Sequence, residues 1–411
     1  MAKERTRKGL LLIIFITVFL NLLGVGIVIP VLAPLFLSKA EPFLPLHYSF
    51  GDRTLLLGIL VASYPIAQFF GAPLLGALSD HHGRKRILLL ALVGSMAGYA
   101  LFAIGIHQQN LWMLFVGRII DGITGGNIAV INSAIADISD NKSKSRNFGL
   151  VGMAFGMGFI IGPFLGGVLS DPLIVWWFNF ATPFWFATAL LAANCLLVVW
   201  LFPETLKEPV KKRLRIFMGI RNLRNALQLV GVQKLLWIVF LATFGFTFFT
   251  QFFQVFLFEK FSYRQSDIGE LFAYIGIWIA LTQGGVLRLV SKFFKPVHIL
   301  RVSTLGLSIV FILLLLPSND KLLYFILPFM SLFQGMNQPN LLAMISNRIP
   351  PGKQGEIMGV NQSLQSVALA IPPIIGGLIV SLNINLPIIM ASFCLFVAWL
   401  VLLKVDSANE R

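Results

Sequence analysis

Charge is what this 411-residue chain has least of. Asp, Glu, Lys and Arg make up 12% of it, where a soluble protein carries about a quarter. With 57% hydrophobic residues and a mean hydropathy of +0.84, it has too few polar groups to cover a water-facing surface, so a soluble globular fold is excluded and lipid is its solvent. Cysteine is scarce as well. Cys195 and Cys394 both lie inside apolar runs, which excludes a disulfide framework and leaves no metal-ligand spacing. No metal or cofactor is expected. Histidine is rare, and His107 and His298 fall at the ends of apolar runs. No cluster of nucleophile, base and oxyanion donors stands out, so an enzyme is not expected. Short alternating segments of the kind that build a membrane β-barrel are missing too.

What the chain has in abundance is long apolar runs, each near the ~20 residues needed to cross a bilayer. Twelve are read, at roughly 10–37, 54–79, 87–106, 111–136, 147–170, 181–202, 233–258, 267–290, 297–316, 321–346, 355–382 and 386–404. The first follows Lys3, Arg5, Arg7 and Lys8, but it is too long for a signal peptide and lacks a small-residue cleavage site, so it is read as a retained first helix. The net charge of +15 is a matter of topology. With the N-terminus inside and twelve crossings, 26 Lys and Arg fall on the cytoplasmic side and five outside. That is the positive-inside bias. The expectation is a monomeric, multi-pass protein of the cell inner membrane with both termini cytoplasmic, partnered by the lipid bilayer and not by nucleic acid.

The longest inside loop, 203–232, carries Lys211, Lys212, Arg213, Arg215, Arg221 and Arg224. It divides the chain into a bundle of six helices over 1–202, a basic linker and a second six-helix bundle over 233–411. Leu214, Phe217, Leu223 and Leu227 suggest a helix lying on the membrane surface within that linker. The halves repeat. Ile160 to Gly167 matches Ala370 to Gly377 at an offset of 210, Gly149 and Gly359 share that register, and Asp121-Gly122 stands opposite Gln334-Gly335. The fold class expected is all-α and polytopic, with twelve transmembrane helices in two pseudo-symmetric bundles and a substrate site between them near the midplane.

Between the second and third runs lies Gly76-Ala77-Leu78-Ser79-Asp80-His81-His82-Gly83-Arg84-Lys85-Arg86, a short charged turn. It resembles the signature loop of the major facilitator superfamily, G-x-L-x-D-x-x-G-R-[KR]-[KR], at every specified position. The resemblance implies a conformational latch on the inner face: Asp80 toward the start of the eleventh helix near Gly355 and Gly359, and Asp137 near Arg84, with Gly83 permitting the turn. The matching stretch of the second half, Gly285 to Lys295, lacks the aspartate and the second glycine.

Arg118 and Asp121 are the charged residues well inside the apolar slab. Such residues cost at least ~2.5–3.5 kcal/mol to insert and are usually functional and paired. Three apart, they share a helix face, and Asp121 falls roughly 15 Å deep. The matching positions in the tenth run are Ser331 and Gln334, so the pair belongs to one half only. Gly117 to Gly125, Ala136-Asp137-Ile138 and Arg146-Asn147-Phe148-Gly149 resemble the tetracycline-exporter group of drug:proton antiporters, in which the arginine of R-x-x-x-G is implicated in proton transfer; it falls on Arg118, with the glycine at Gly122. Gly158, Gly162, Pro163, Gly166 and Gly167 match the antiporter signature G-x-x-x-G-P-x-x-G-G. The first run departs from the group at Asn21, where an aspartate is usual. An amide carries no proton near neutral pH, which leaves Asp121 as the one deep carboxylate.

Amides are frequent elsewhere: Gln68, Asn132, Gln251, Gln254, Gln283, Gln334, Asn337, Asn361 and Gln365 join Asn21 as candidates for a substrate cavity, since each is costly facing lipid. Aromatics crowd the seventh run, including Phe244, Phe246, Phe248, Phe249, Phe252 and Phe253. A cavity of aromatics and amides suits an amphiphilic organic molecule. Because Arg118 offsets Asp121, a neutral, zwitterionic or anionic molecule fits better than a simple cation. The reading is a secondary transporter that exchanges such a substrate for protons by alternating access. A facilitator or proton-coupled carrier of a metabolite or siderophore on the same fold, and a membrane sensor that does not transport, stay open beside it.

Overall fold

The computed structural model describes residues 2–39, 42–138, 144–206, 233–347 and 354–405. Twelve helical passes account for them. The first is α1 (Ala2–Ile27) continued by α2 (Ile29–Leu37), then α3 (Phe50–His82), α4 (Arg84–His107), a fourth pass made of α5 (Leu111–Thr124) and α6 (Asn127–Ile138), α7 (Lys144–Ser170) and α8 (Thr182–Leu201). The remainder are α9 (Gln233–Phe261), an eighth pass of α10 (Gln265–Leu281), a π-turn at Thr282–Val286 and α11 (Leu287–Phe293), then α12 (Pro296–Leu313), α13 (Leu323–Asn347), α14 (Gln354–Ile379) and α15 (Leu386–Leu403). The local signals are conventional. Asn110 caps α5 by accepting from the N–H groups of Trp112 and Met113, and α8, α12 and α15 each carry proline in the first turn, where its missing N–H costs nothing.

Where the sequence reads single runs, three passes are interrupted. The first breaks at Val28, just before Pro30, the fourth at Gly125-Gly126 and the eighth at the π-turn. The surface helix expected in the linker falls on 207–232, outside the described residues.

Two compact units form. Unit 1 comprises residues 1–45, 63–218 and 264–273; unit 2 comprises 46–62, 219–263 and 274–411. Within unit 1, α1 packs on α7 and α8, and α4 packs on α5 and α8. Within unit 2 the same pairing recurs: α9 packs on α14 and α15, and α12 packs on α13 and α15. The core of unit 2 corrects the reading of the phenylalanine row. Phe248, Phe249, Phe252 and Phe253 are buried to 2% exposure or less; Phe249 stacks on Phe253 at 4.6 Å and on Phe311 of α12 at 4.7 Å. These rings fill a helix interface and do not line a cavity. The outward side chains are apolar as well, Leu90, Leu196, Leu289 and Phe393 among them, a surface that suits lipid and not water. Among the described residues nine helices are long and apolar enough to cross a membrane.

Candidate functional site

The deep ion pair is enclosed in unit 1. Arg118 and Asp121 lie on successive turns of α5, with side chains 8% and 5% exposed and Nη1 3.8 Å from Oδ2. That separation is an electrostatic contact without a hydrogen bond. Nε and Nη1 of Arg118, Oδ2 of Asp121 and the Tyr99 hydroxyl are all buried without a hydrogen-bond partner. The guanidinium carbon stands 4.8 Å over the Tyr64 ring of α3, so part of its charge is met by the ring's π face. Gly98, Tyr99 and Phe102 of α4, Gly117 of α5 and Phe184 of α8 wall the pair in. A Cβ on Gly98 would sit 2.8 Å from the Gly117 carbonyl and 3.0 Å from the Asp121 Cβ, which is why α4 and α5 cross so closely here. In the second half, Ser331 at the position of Arg118 spends its hydroxyl on the Ile275 carbonyl at 3.1 Å.

One turn beyond the pair the helix opens at Gly125-Gly126. Gln68 of α3 donates to the Gly125 carbonyl at 3.1 Å. Asn127, which begins α6, is fully buried and its Oδ1 accepts from Asn21 Nδ2 at 2.7 Å. Asn21 therefore sits in an amide pair between the first and fourth passes. Asn132 of α6 is partly exposed, and its Oδ1 is unpartnered.

A second polar cluster sits at the C-terminal end of α3. The helix runs past Asp80 to His82, and Gly83 turns the chain at φ 98°, a conformation that disfavours any side chain. Arg84 then makes a fan of contacts: Nη1 to Asp80 Oδ1 at 2.6 Å, Nε to Asp137 Oδ2 at 3.1 Å and Nη1 to Ser79 Oγ at 2.7 Å. Glu204, just past α8, is the member the sequence reading missed. Its carboxylate accepts the N–H groups of Arg84 at 2.8 Å and Lys85 at 3.2 Å, and so caps the start of α4. Thr205 beside it reaches Asp137 at 3.4 Å. The available signal was an acid after Pro203 at the end of an apolar run. Gly355, Gly359 and Asn361 lie in a stretch of α14 whose side chains and contacts are outside the described residues.

The glycine signature of α7 has two faces. Gly158, Gly162 and Gly166 press on α1: a Cβ on Gly162 would meet the Gly26 Cα and the Leu23 carbonyl at 2.8 Å, and Pro163 adjoins Gly26. Gly167 instead faces the first turns of α10 at Gly269. Of the remaining amides, Gln254 is fully enclosed and donates to the Gln251 carbonyl, and Asn337 is enclosed and donates to Thr304 Oγ1 at 3.2 Å, so both sit in helix interfaces and not on an open wall. Gln251, Gln334 and Gln365 are partly exposed and Gln283 is exposed.

Two six-helix sets with matching pairing and a charged turn at the end of α3 are a family arrangement, and comparison with known proteins agrees. The model of the Major Facilitator Superfamily matches residues 14–373 and 288–411. The chain belongs to the Major Facilitator Superfamily. It is 31% identical to the class C tetracycline resistance protein of Escherichia coli over 369 residues, 89% of this chain and 88% of that protein. It is 28% identical to multidrug resistance protein 1 of Bacillus subtilis (strain 168) over 395 residues, 95% of this chain and 94% of the other. The solved D-xylose-proton symporter shares the fold at a TM-score of 0.79 and 14% identity, with 98% of each chain covered. The chain is a multi-pass membrane transporter of small molecules, not an enzyme.

Proposed function

We propose that the chain is a secondary active exporter, exchanging an amphiphilic small organic molecule for protons by alternating access in the cell inner membrane, as a monomer with both termini cytoplasmic. The observation that carries this is the Arg118–Asp121 pair, enclosed in unit 1 with three of its polar atoms unpartnered. A buried pair left so incompletely satisfied costs several kcal/mol, so it is retained for what it does and not for stability. Asp121 is the proton carrier. Its contact with Arg118 ties proton exchange to the substrate binding or helix movement that separates the two side chains. Asn21, bound to Asn127, takes no part in proton transfer.

Relatives named for resistance to tetracycline and to multiple drugs support a drug-like substrate. The near-neutral pair favours a neutral, zwitterionic or anionic one. Gln68, Asn132, Gln251, Gln283, Gln334 and Gln365 remain the cavity candidates, with Asn361. Asp80, Gly83, Arg84 and Asp137 form the inner-face latch with Gly355 and Gly359 as its far side, and Gly158, Gly162 and Gly166 of the α7 signature hold α1 and α7 together as one moving body. The test uses proteoliposomes with an imposed pH gradient and tetracycline as probe. Asp121→Asn is expected to lose gradient-driven accumulation and keep counterflow. Undiminished gradient-driven accumulation in that variant rejects the mechanism. A thermal-shift screen over drugs, sugars, siderophores and lipids selects a replacement probe if tetracycline does not bind.

A further inference from the structure

Tyr64 of α3 lies along the face of the fourth pass that carries Arg118, Gly122 and Gly125. A Cβ on Gly122 would strike the Tyr64 carbonyl and sit 2.7 Å from the Ala67 Cβ, so glycine is what admits the α3 backbone here. A Cβ on Gly125 would strike the Tyr64 hydroxyl. Gln68, one turn along α3, donates to the Gly125 carbonyl at 3.1 Å and to that hydroxyl at 3.4 Å. Wedged at both ends, the ring keeps its centre 4.8 Å from the guanidinium carbon of Arg118. Nε and Nη1 of that guanidinium are buried without a hydrogen bond, and Asp121 stands 3.8 Å away, too far to make one.

The second half offers a comparison within the same chain. Gly58 and Gly269 are counterparts: a Cβ on Gly58 would lie 3.3 Å from the Gly377 Cα, one on Gly269 3.1 Å from the Gly167 Cα, and Gly377 is 210 residues beyond Gly167. Tyr64 is six residues beyond Gly58, and Ile275 is six beyond Gly269. Ser331, at the position of Arg118, touches that same counterpart, donating to the Ile275 carbonyl at 3.1 Å. Tyr274 beside it is spent elsewhere, its hydroxyl on the Tyr324 carbonyl at 2.9 Å and its ring 5.3 Å from that of Tyr324. The two helices therefore meet at this point in either half, and the half with the cation is the one that sets an aromatic face against it.

We infer that Tyr64 is the positioning residue of Arg118: its ring is a second seat for the guanidinium beside Asp121, and Gly122 is the glycine that seats the ring. A hydrogen bond fixes distance and direction, whereas attraction to a π face tolerates sliding and rotation. The guanidinium can shift across the ring without becoming an uncompensated charge inside the bundle. When Asp121 takes up a proton, the ring keeps the cation in place until the carboxylate returns. This role takes its purpose from Asp121 as proton carrier, and the contact itself does not depend on that reading.

The test reads Arg118 directly, in the purified full-length protein. Phenylglyoxal condenses with the guanidino group of arginine, and mass spectrometry of the digested protein gives the rate of modification at Arg118. Tyr64 is replaced by Phe and by mono-, di- and trifluorinated Phe. Fluorine draws electron density from the ring face and changes its shape little. Tyr64→Phe is expected to stay within about twofold of the unmodified protein, each added fluorine to raise the rate, and the trifluorinated ring and Tyr64→Leu to raise it about fivefold. With Asp121→Asn the ring is the remaining seat, and the span from Phe to the trifluorinated ring should widen to about tenfold. If Tyr64→Leu or Asp121→Asn does not accumulate in the membrane, the fluorinated series carries the test. A rate indifferent to fluorine overturns the inference whatever Tyr64→Leu does, because a packing role depends on shape. So does a span that Asp121→Asn leaves unchanged. The assay uses neither tetracycline nor a pH gradient, so failure of the proton-exchange reading leaves its result untouched.

Discussion

Asn21 and Asn127 are joined amide to amide at 2.7 Å, linking the first pass to the start of α6 where the fourth pass reopens. Both are buried, and the Nδ2 of Asn127 has no partner of its own. Asn21→Leu would leave a buried acceptor on Asn127 unmatched. The expected loss is about 1–3 kcal/mol, read as a lower Tm of the protein in detergent. The pH dependence of transport in proteoliposomes should not move, because no titratable group is removed.

Arg118 and Asp121 should behave as a unit. Arg118→Gln alone strands a carboxylate among Gly98, Phe102 and Phe184 and is expected to cost about 3–5 kcal/mol. The double variant Arg118→Gln/Asp121→Asn removes both charges and should recover much of that stability while remaining unable to accumulate substrate against a gradient. Comparing Tm with gradient-driven uptake across the three proteins separates folding from coupling.

Gly162 touches the backbone of α1, whereas Gly156 of the same helix has open space where a Cβ would go. Gly162→Ala is expected to force α1 and α7 apart at a cost of about 1–3 kcal/mol. Gly156→Ala should be neutral or slightly stabilising, since alanine is the better helix former. Thermal unfolding of the pair in the same detergent checks the contrast.

Glu204 caps α4 from outside that helix. Glu204→Ala should cost about 1–2 kcal/mol by uncovering the N–H groups of Arg84 and Lys85. Because Gly83 is held at positive φ against this carboxylate, the loss should also loosen the turn. An engineered cysteine at Ser79, buried and bonded to Arg84, would report that loosening as faster thiol labelling in inside-out vesicles.

Much of this protein could be read from the chain, because the bilayer imposes simple rules on sequence. Runs of about twenty apolar residues have one reading in lipid, and the charged turn at Asp80 to Arg86 sits where two of them meet. The solitary charges at Arg118 and Asp121 stood out for the same reason. Whether they were hydrogen-bonded did not, since that depends on how closely α4 crosses α5 at Gly98 and Gly117.

Composition and periodicity determined the all-helical membrane fold, the twelve passes, the internal repeat and the deep pair, since each is a property of residues near one another along the chain. Only the tertiary structure decided which groups meet across helices. It tied Asn21 to Asn127, made Glu204 the cap of α4, put Phe248, Phe249, Phe252 and Phe253 of α9 into the core, and brought Asp171 to Ser266, 95 residues away. The physical reason is that hydrophobicity is a property of each residue by itself, whereas a hydrogen bond or a glycine crossing depends on two backbones arriving within a few ångströms, and no local pattern encodes the partner.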